Sequence, residues 1–143
     1  MSETLLGFDY GKKRIGVAVG QNLFGTTQGI DTIDNTGANG PWSQIKRHVD
    51  TWQPVTFIVG MPVTKDGNET NFIRTIRCFG AELESRFNLP VEYFDETLTS
   101  RAAETFINES TSPGKRIIGR NKSLRDRIAA EIILTSYMAE NMR

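Results

Sequence analysis

Short apolar runs separated by turn residues open the chain and predict strands. Residues 5–10 and 14–19 are mainly apolar, and a turn containing Lys12 and Lys13 lies between them. Two such runs across a short turn predict a β-hairpin. Residues 26–32 contain Thr and Ile, which favour the extended backbone, and predict a third strand.

The rest of the chain alternates between helical and extended patterns. Apolar spacing predicts six further elements: helices over 42–52, 72–87, 101–108 and 123–141, and strands over 55–60 and 91–94. One helix carries an apolar stripe at intervals of three or four positions: Phe72, Ile76, Phe79, Leu83 and Phe87. The order predicts an α/β fold, with a mixed five-stranded sheet that starts as an antiparallel hairpin and has helices on both faces.

Length and composition indicate one globular domain spanning residues 1–143. Of the 143 residues, 38% are hydrophobic and 24% are charged. The 17 basic and 17 acidic side chains cancel, so nucleic-acid binding would require a local basic surface. The amino terminus lacks a signal-peptide pattern, and no apolar run approaches the ~20 residues that span a bilayer. We therefore expect a cytoplasmic protein with no membrane partner.

The chain has one cysteine and one histidine, which narrows its chemistry. Cys78 alone cannot form an internal disulfide, and zinc sites built on His and Cys are disfavoured. His48 lies in a mixed polar helix with no nucleophile pattern nearby, so we expect an ordinary helix-surface residue. Catalysis would then depend on carboxylates, hydroxyls, Lys or Arg.

Acidic residues follow two of the predicted strands. Asp9 ends the first apolar run, where burying a carboxylate is costly unless a cation compensates, but it could instead begin the turn and accept a hydrogen bond from Gly11. Asp95 and Glu96 follow the last strand. If the extended backbone continues, they point to opposite faces of the sheet; the alternative is a solvated strand end.

A third acidic position, Asp126, lies near the start of the last helix. Ser123 three positions earlier matches a capping box, which would give Asp126 a purely structural role. Ala129 and Ala130 lie on the same side of the helix as Asp126, and their small size would allow close approach to the sheet.

Taken together, these acids occupy strand ends and a helix start, which meet at one crevice in α/β sheets. Carboxylates without His or Cys are hard oxygen ligands that suit Mg²⁺ or Mn²⁺. Such ions activate water and stabilise the leaving oxygen of a phosphodiester. The pattern therefore points to metal-dependent hydrolysis, if the acids converge.

Several segments resemble one known family in order and spacing. They are DYGKKRIGVA at 9–18, IVGMP at 58–62 with Asp66-Gly67 after it, DETLTS at 95–100, and Asp126 with Ala129-Ala130. Over nearly its whole length the chain resembles the YqgF (RuvX) family. The resemblance implies a minimal ribonuclease-H-like fold related to Holliday junction resolvases, and a nuclease that matures the 5′ end of pre-16S ribosomal RNA. It further implies that Asp9, Glu96 and Asp126 are catalytic and bind the metal.

The chain departs from the family at one position. Thr97 stands where the family usually has Arg after the Asp-Glu pair. If that Arg contacts phosphate or holds the glutamate, the charge must come from elsewhere, and Arg101 is a candidate.

Basic residues concentrate in the first turn and before the last helix. The candidates for nucleic-acid binding are Lys12, Lys13, Arg14, Arg101, Lys115, Arg116, Arg120, Lys122 and Arg125. Contacts from such residues would be mainly to phosphate, and the alternative is a solvated basic loop. No RNA-recognition motif or aromatic stacking cluster is visible, so the choice of a particular RNA is unexplained.

Three functions remain open. The first is a nuclease acting on precursor ribosomal RNA or a small-subunit precursor, as a monomer or weak homodimer. The second is a resolvase of branched DNA, which would need a dimer because a symmetric junction requires two cuts. The third is a non-catalytic RNA-binding assembly factor. An actin-like or sugar-kinase ATPase, whose first phosphate loop also has a strand-borne Asp followed by glycines, is discounted because those folds need two such domains and well over twice this length.

Overall fold

The computed structural model describes residues 3–62, 70–95 and 121–141. Within these ranges it contains five strands and three helices: β1 (Thr4–Asp9), β2 (Arg14–Gln21), β3 (Thr26–Asp34), α1 (Trp42–Trp52), β4 (Thr56–Met61), α2 (Asn71–Phe87), β5 (Val91–Asp95) and α3 (Lys122–Asn141). The elements predicted in these ranges are confirmed to within two residues at each end. The helix predicted over 101–108 lies outside the described residues.

The strands form one mixed sheet in the order β3-β2-β1-β4-β5. β2 pairs antiparallel with both β1 and β3, whereas β4 pairs parallel with both β1 and β5. The predicted mixed sheet with an antiparallel start is confirmed. Because β1, β4 and β5 are parallel, their carboxyl ends lie at the same edge of the sheet.

One face of the sheet packs against α1 and α2. Phe8 of β1 and Phe57 of β4 are fully buried there, with ring centroids 5.8 Å apart. Phe79 of α2 packs its ring edge against Phe8 at 5.7 Å. The predicted apolar stripe of α2 therefore faces this core, and Ile73, Ile76 and Leu83 are buried with it.

Among the described helices, only α3 packs against the other face. Leu5, Ala18 and Ile58 from three strands meet Ile133 and Leu134 of the helix. This helix is thus partnered by the sheet along most of its length, and its first turns lie over β2 and β3.

Two glycines allow α3 to approach the sheet closely. A Cβ on Gly16 would overlap the backbone carbonyl of Asp126, and one on Gly29 would lie 2.7 Å from the carbonyl oxygen of Arg127. Any side chain at these positions would push the helix start away from the sheet. The sequence predicted that small residues on the helix would allow this close approach, and Ala130 is indeed buried. Glycines on the strands allow it as well.

The described helices begin or end at capping residues, at left-handed residues and near prolines. Thr70 caps α2 by accepting a hydrogen bond from the backbone N–H of Ile73 at 3.2 Å. Gln53 and Asn88 end α1 and α2 in the left-handed region, at φ 48° and 55°, and a proline follows within two residues of each. Among the described helices, none is long and apolar enough to cross a membrane.

Candidate active site

Asp9 is the last residue of β1, the central strand, and is half-buried. Side chains alternate between faces along a strand, and a Cβ on Gly7 would lie 3.1 Å from Leu134 of α3. Asp9, two positions further on, therefore faces the same side of the sheet as α3. The carboxylate sits at the edge where the parallel strands end.

Gly16 lies next to both Asp9 and Asp126. In the β1–β2 ladder Asp9 pairs with Gly16, and the backbone of Asp126 lies directly against Gly16. The two acids are separated by more than a hundred positions in sequence, yet both lie around this one glycine. The structure thus brings together two of the three predicted metal-binding residues.

Asp126 does not belong to the helix cap. The helix begins one residue earlier than predicted, and Asn121 caps it by accepting a hydrogen bond from the backbone N–H of Leu124 at 3.2 Å. Ser123, the predicted cap, instead accepts a hydrogen bond at its carbonyl from the hydroxyl of Thr32 on β3. The capping-box interpretation is therefore wrong, because the earlier start moves Asp126 beyond the first turn.

The carboxylate of Asp126 is held by an ion pair with β2. Arg14 Nε donates to Asp126 Oδ2 at 2.8 Å, and the two side chains are 37% and 21% exposed. Arg14 had been a candidate for phosphate binding. A guanidinium carries five N–H donors, so pairing through Nε leaves others for a phosphate oxygen.

Gly60 lies between the ends of β1 and β5 on the α3 side. Ile58, two positions earlier in β4, belongs to the apolar cluster around α3, and alternation places Gly60 on that same face. Gly60 is buried and adds no side chain between these two strand ends.

Asp95 faces the opposite side of the sheet from Asp9. The preceding residue Phe94 packs against Tyr137 of α3, with ring centroids 6.2 Å apart. Tyr93 contacts α2 instead, where its hydroxyl donates to the carbonyl oxygen of Arg77 at 3.4 Å. Asp95 shares the face of Tyr93 by alternation. Glu96 and Thr97 lie outside the described residues.

Four of the predicted basic residues are exposed at this edge. Lys12 and Lys13 lie in the turn after Asp9, and Lys122 and Arg125 lie in the first turns of α3. The other four candidates, Arg101, Lys115, Arg116 and Arg120, lie outside the described residues. The described part of the basic surface therefore flanks Asp9 and Asp126 from two elements.

His48 is not a plain helix-surface residue. Its Nε2 lies 2.8 Å from Asp31 Oδ2, so it joins α1 to β3 with 20% of its side chain exposed. This contact lies on the face of the sheet opposite to Asp9. Within residues 3–62, 70–95 and 121–141, no three His, Cys, Asp or Glu side chains group in a way that could hold a metal.

An aromatic pocket that the sequence analysis missed lies around the edge from Asp9. Its volume is about 280 Å³, and its lining includes Tyr10, Asn35, Trp42, Cys78, Phe79 and Glu82. The rings come from three separate segments, which is why no local motif indicated a cluster. The available signals were Tyr10 beside Asp9 and Phe79 within the stripe of α2.

Comparison with known families decides the assignment. The sequence model of the RuvX family, described as Holliday junction resolvase, matches residues 3–140. The chain belongs to the RuvX family. The resemblance drawn from the sequence motifs is thereby confirmed over almost the entire chain.

Curated relatives of this RuvX chain agree with the assignment. A protein of Ralstonia pickettii (strain 12J) is 40% identical over 138 residues, which cover 96% of this chain and 88% of the relative. One of Saccharophagus degradans is 40% identical over 140 residues, covering 98% of this chain and 96% of the relative. Both bear the name "Putative pre-16S rRNA nuclease".

Solved structures show the fold that RuvX shares with junction resolvases. The fowlpox virus resolvase bound to Holliday junction DNA superposes with a TM-score of 0.62 at 16% identity, covering 98% of this chain and 99% of the resolvase. T. thermophilus RuvC bound to a Holliday junction gives a TM-score of 0.58 at 16% identity, covering 98% and 97%. The predicted ribonuclease-H-like fold is confirmed.

Proposed function

We propose that this chain is a divalent-metal-dependent nuclease that hydrolyses phosphodiester bonds in precursor 16S ribosomal RNA. The observation that carries the proposal is the placement of Asp9 and Asp126 around Gly16, at the edge where β1, β4 and β5 end. The names of the RuvX relatives support the substrate. Such a substrate would place the protein in the cytoplasm.

The donor chemistry of this edge fits a hard divalent cation. Asp9 and Asp126 offer carboxylate oxygens, which Mg²⁺ and Mn²⁺ prefer, and no sulfur or imidazole ligand accompanies them among the described residues. When bound, the cation would lower the pKa of a coordinated water and stabilise the leaving oxygen. Arg14 partly balances the charge of Asp126 before a cation or phosphate arrives.

We propose Glu96 as the third acidic ligand. Asp95 shares the face of α2 with Tyr93, so one further extended residue would face the side on which Asp9 lies. Gly60, between the ends of β1 and β5, has no side chain that would separate residues at these two ends. Glu96 rather than Asp95 therefore fits the role that the family resemblance implies.

The exposed basic residues would hold the RNA backbone next to the acids. Lys12, Lys13, Lys122 and Arg125 lie in the first turn and at the start of α3, on either side of Asp9 and Asp126. Their contacts would be to phosphate and would add affinity rather than sequence specificity. Arg101, Lys115, Arg116 and Arg120 stay predictions of the sequence alone.

The test is cleavage of a precursor 16S RNA fragment in Mg²⁺ or Mn²⁺. We expect Asp9→Asn to lower the rate by at least about 100-fold, because losing one metal ligand or its support typically costs about that much. Thermal stability should change little, since the substitution conserves size. Asp50→Asn on α1, an exposed carboxylate far from the edge, is the matched control. Unchanged cleavage by Asp9→Asn would contradict the proposal.

Asp126→Asn separates structure from metal binding at the second acid. Because Arg14 loses its charged partner, a modest loss of stability is expected, below about 1 kcal/mol for a partly exposed pair. Loss of cleavage in the folded protein would assign Asp126 to the metal. Cleavage that survives in the folded fraction would restrict Asp126 to pairing with Arg14.

A second candidate function is resolution of branched DNA. It is favoured by the description of the RuvX family and by the DNA complexes of two resolvases with the same fold. Because a symmetric junction needs two coordinated cuts, this function requires a dimer. A protein that sediments as a monomer and cuts RNA but not four-way junctions would exclude it. RNA binding without metal binding or cleavage would instead indicate a non-catalytic assembly factor.

A further inference from the structure

The aromatic pocket around the edge of the sheet from Asp9 has the composition of a stacking site. Tyr10 and Trp42 line it, and both rings pack on Phe79, with centroid distances of 4.8 Å and 5.5 Å. The guanidinium of Arg86 lies 4.5 Å from the Trp42 ring centroid. These contacts hold the rings in fixed positions, so a planar ligand would meet preformed walls.

The rim of the pocket adds hydrogen-bonding groups. The Asn35 side chain donates to the carbonyl oxygen of Gly11 at 2.9 Å, which fixes the amide next to the turn after β1. Glu82 is neutralised by Arg86 Nε at 2.7 Å, so the lining carries little net negative charge. Amide and carboxylate oxygens can accept hydrogen bonds from the amino groups of base edges.

The size of the pocket suits one small planar group. Its volume of about 280 Å³ falls just below the range of ~300–1,000 Å³ that is typical of pockets for drug-sized ligands. This volume is sufficient for a single flat ring system.

The position relative to Asp9 identifies the ligand. Tyr10 follows Asp9 directly, so their Cα atoms are about 3.8 Å apart, and their side chains lie on opposite faces of the sheet. Lys12 and Lys13 are exposed in the same turn and supply positive charge for a phosphate. A strand of RNA that wraps around the edge of the sheet at this turn would place a phosphate near Asp9 on one face and a base beside Tyr10 on the other.

We infer that this pocket binds one unpaired nucleobase of the RNA substrate, and that this base sets which phosphate lies at Asp9. The inference deepens the proposed function, since it rests on RNA being the substrate. It also answers the question that the sequence left open, namely how a protein with no RNA-recognition motif selects a site. Recognition of RNA through an unstacked base on aromatic rings is a common mode.

Cys78 offers a direct probe, because it is exposed in the pocket lining and is the single cysteine of the chain. The rate of Cys78 alkylation by iodoacetamide would be followed by mass spectrometry without divalent metal, so that the RNA stays intact. A short unstructured oligoribonucleotide should slow the reaction several-fold. An abasic strand of equal length and charge should not.

A second measurement uses affinity and does not depend on the thiol. Fluorescence anisotropy with the same two strands should show that Trp42→Ala weakens binding of the base-containing RNA by about 5- to 100-fold, in line with the loss of one stacked base. Binding of the abasic strand should not change. Trp52→Ala, on the same helix but outside the pocket, is the matched control. If Trp42→Ala fails to fold, the alkylation result on the unaltered chain decides alone.

The outcomes separate this inference from the proposed function. Equal protection of Cys78 by both strands, with cleavage intact, would overturn the pocket assignment and leave the nuclease standing. Base-dependent protection without any cleavage in Mg²⁺ or Mn²⁺ would support the pocket and overturn the nuclease. Absence of both RNA binding and cleavage would overturn both.

Discussion

At the scale of single residues, the position of Asp126 depends on Gly16. The backbone of Asp126 lies where a Cβ of residue 16 would be, so the distance between α3 and the sheet is set by the absence of a methyl group. Gly16 is also the ladder partner of Asp9. One glycine therefore controls the spacing between the two acids.

We expect Gly16→Ala to lower the free energy of unfolding by about 1–3 kcal/mol, the usual cost of overpacking. It should reduce cleavage as well, because α3 would shift and carry Asp126 with it. Urea unfolding and the cleavage assay measure the two effects. Gly37→Ala is the control, since a Cβ at Gly37 has open space around it. If Gly16→Ala keeps wild-type stability and activity, α3 can shift without affecting either of them.

How far these residues could be predicted from the sequence differs between Asp9 and Asp126. Asp9 stands out because a carboxylate ends an apolar run, and alternation alone gives its face once the strand is known. The sequence correctly placed Asp126 near the start of the last helix, but it did not predict that Arg14 is its partner. The Arg14–Asp126 pair joins residues 112 positions apart, and such a contact leaves no local pattern.

At the scale of elements, α3 is joined to β5 by a polar contact as well as by apolar packing. The hydroxyl of Tyr137 donates to the carboxylate of Glu92, and the Tyr137 ring packs edge-on against Phe94. Burial and the bond to Glu92 raise the pKa of Tyr137 from its ordinary value of 10.0 to about 12. The neutral phenol is therefore the form that the folded protein favours.

This shift predicts a loss of stability at high pH. Because the folded pKa is raised, the contribution is fully present below pH 10, where the unfolded chain also keeps the proton, and is lost as the pH rises toward 12. Tyr137→Phe should remove this part of the pH dependence. Unfolding of both proteins by urea between pH 9 and 11 would measure it. Parallel pH curves for the two proteins would mean that the Tyr137–Glu92 contact contributes nothing.

The elements themselves were the most predictable level of the structure. The predicted strand ends agree with the structure to within two residues because turn glycines and prolines mark them. Helix α2 was predicted from its apolar stripe. The start of α3 was missed by one residue, because Asn121 and Ser123 are both good capping residues. The structure uses Asn121, which accepts from the backbone N–H of Leu124, while the hydroxyl of Thr32 on β3 donates to the carbonyl of Ser123.

At the scale of the whole molecule, charge is balanced overall but unevenly placed. The net charge is zero, yet Lys12, Lys13, Lys122 and Arg125 are exposed at one edge of the sheet. Under the proposed function, RNA affinity would depend on this local surface rather than on long-range attraction by the entire protein.

We expect Lys13→Ala and Lys122→Ala each to reduce the slope of log affinity against log salt by about 0.7, as for one phosphate contact to a single strand. The loss of affinity should be similar for RNAs of different sequence, because phosphate carries no sequence information. Lys46→Ala on α1, where the lysine pairs with Asp50, is the control and should leave the slope unchanged. A slope unaltered by both test variants would remove this edge from the RNA-binding surface.

The contact between the first hairpin and the last helix also has a consequence for the stage of synthesis at which the proposed active site can be complete. Folding to this state requires closure of a very long loop, because Arg14 and Asp126 are 112 positions apart. A nascent chain that has completed its five strands still lacks α3, so Asp126 is missing from the proposed site and the face on which α3 packs lacks that cover. If Asp126 binds the metal as proposed, cleavage would begin only after α3 has been synthesised and docked, so the order of synthesis would itself delay activity until the protein is assembled.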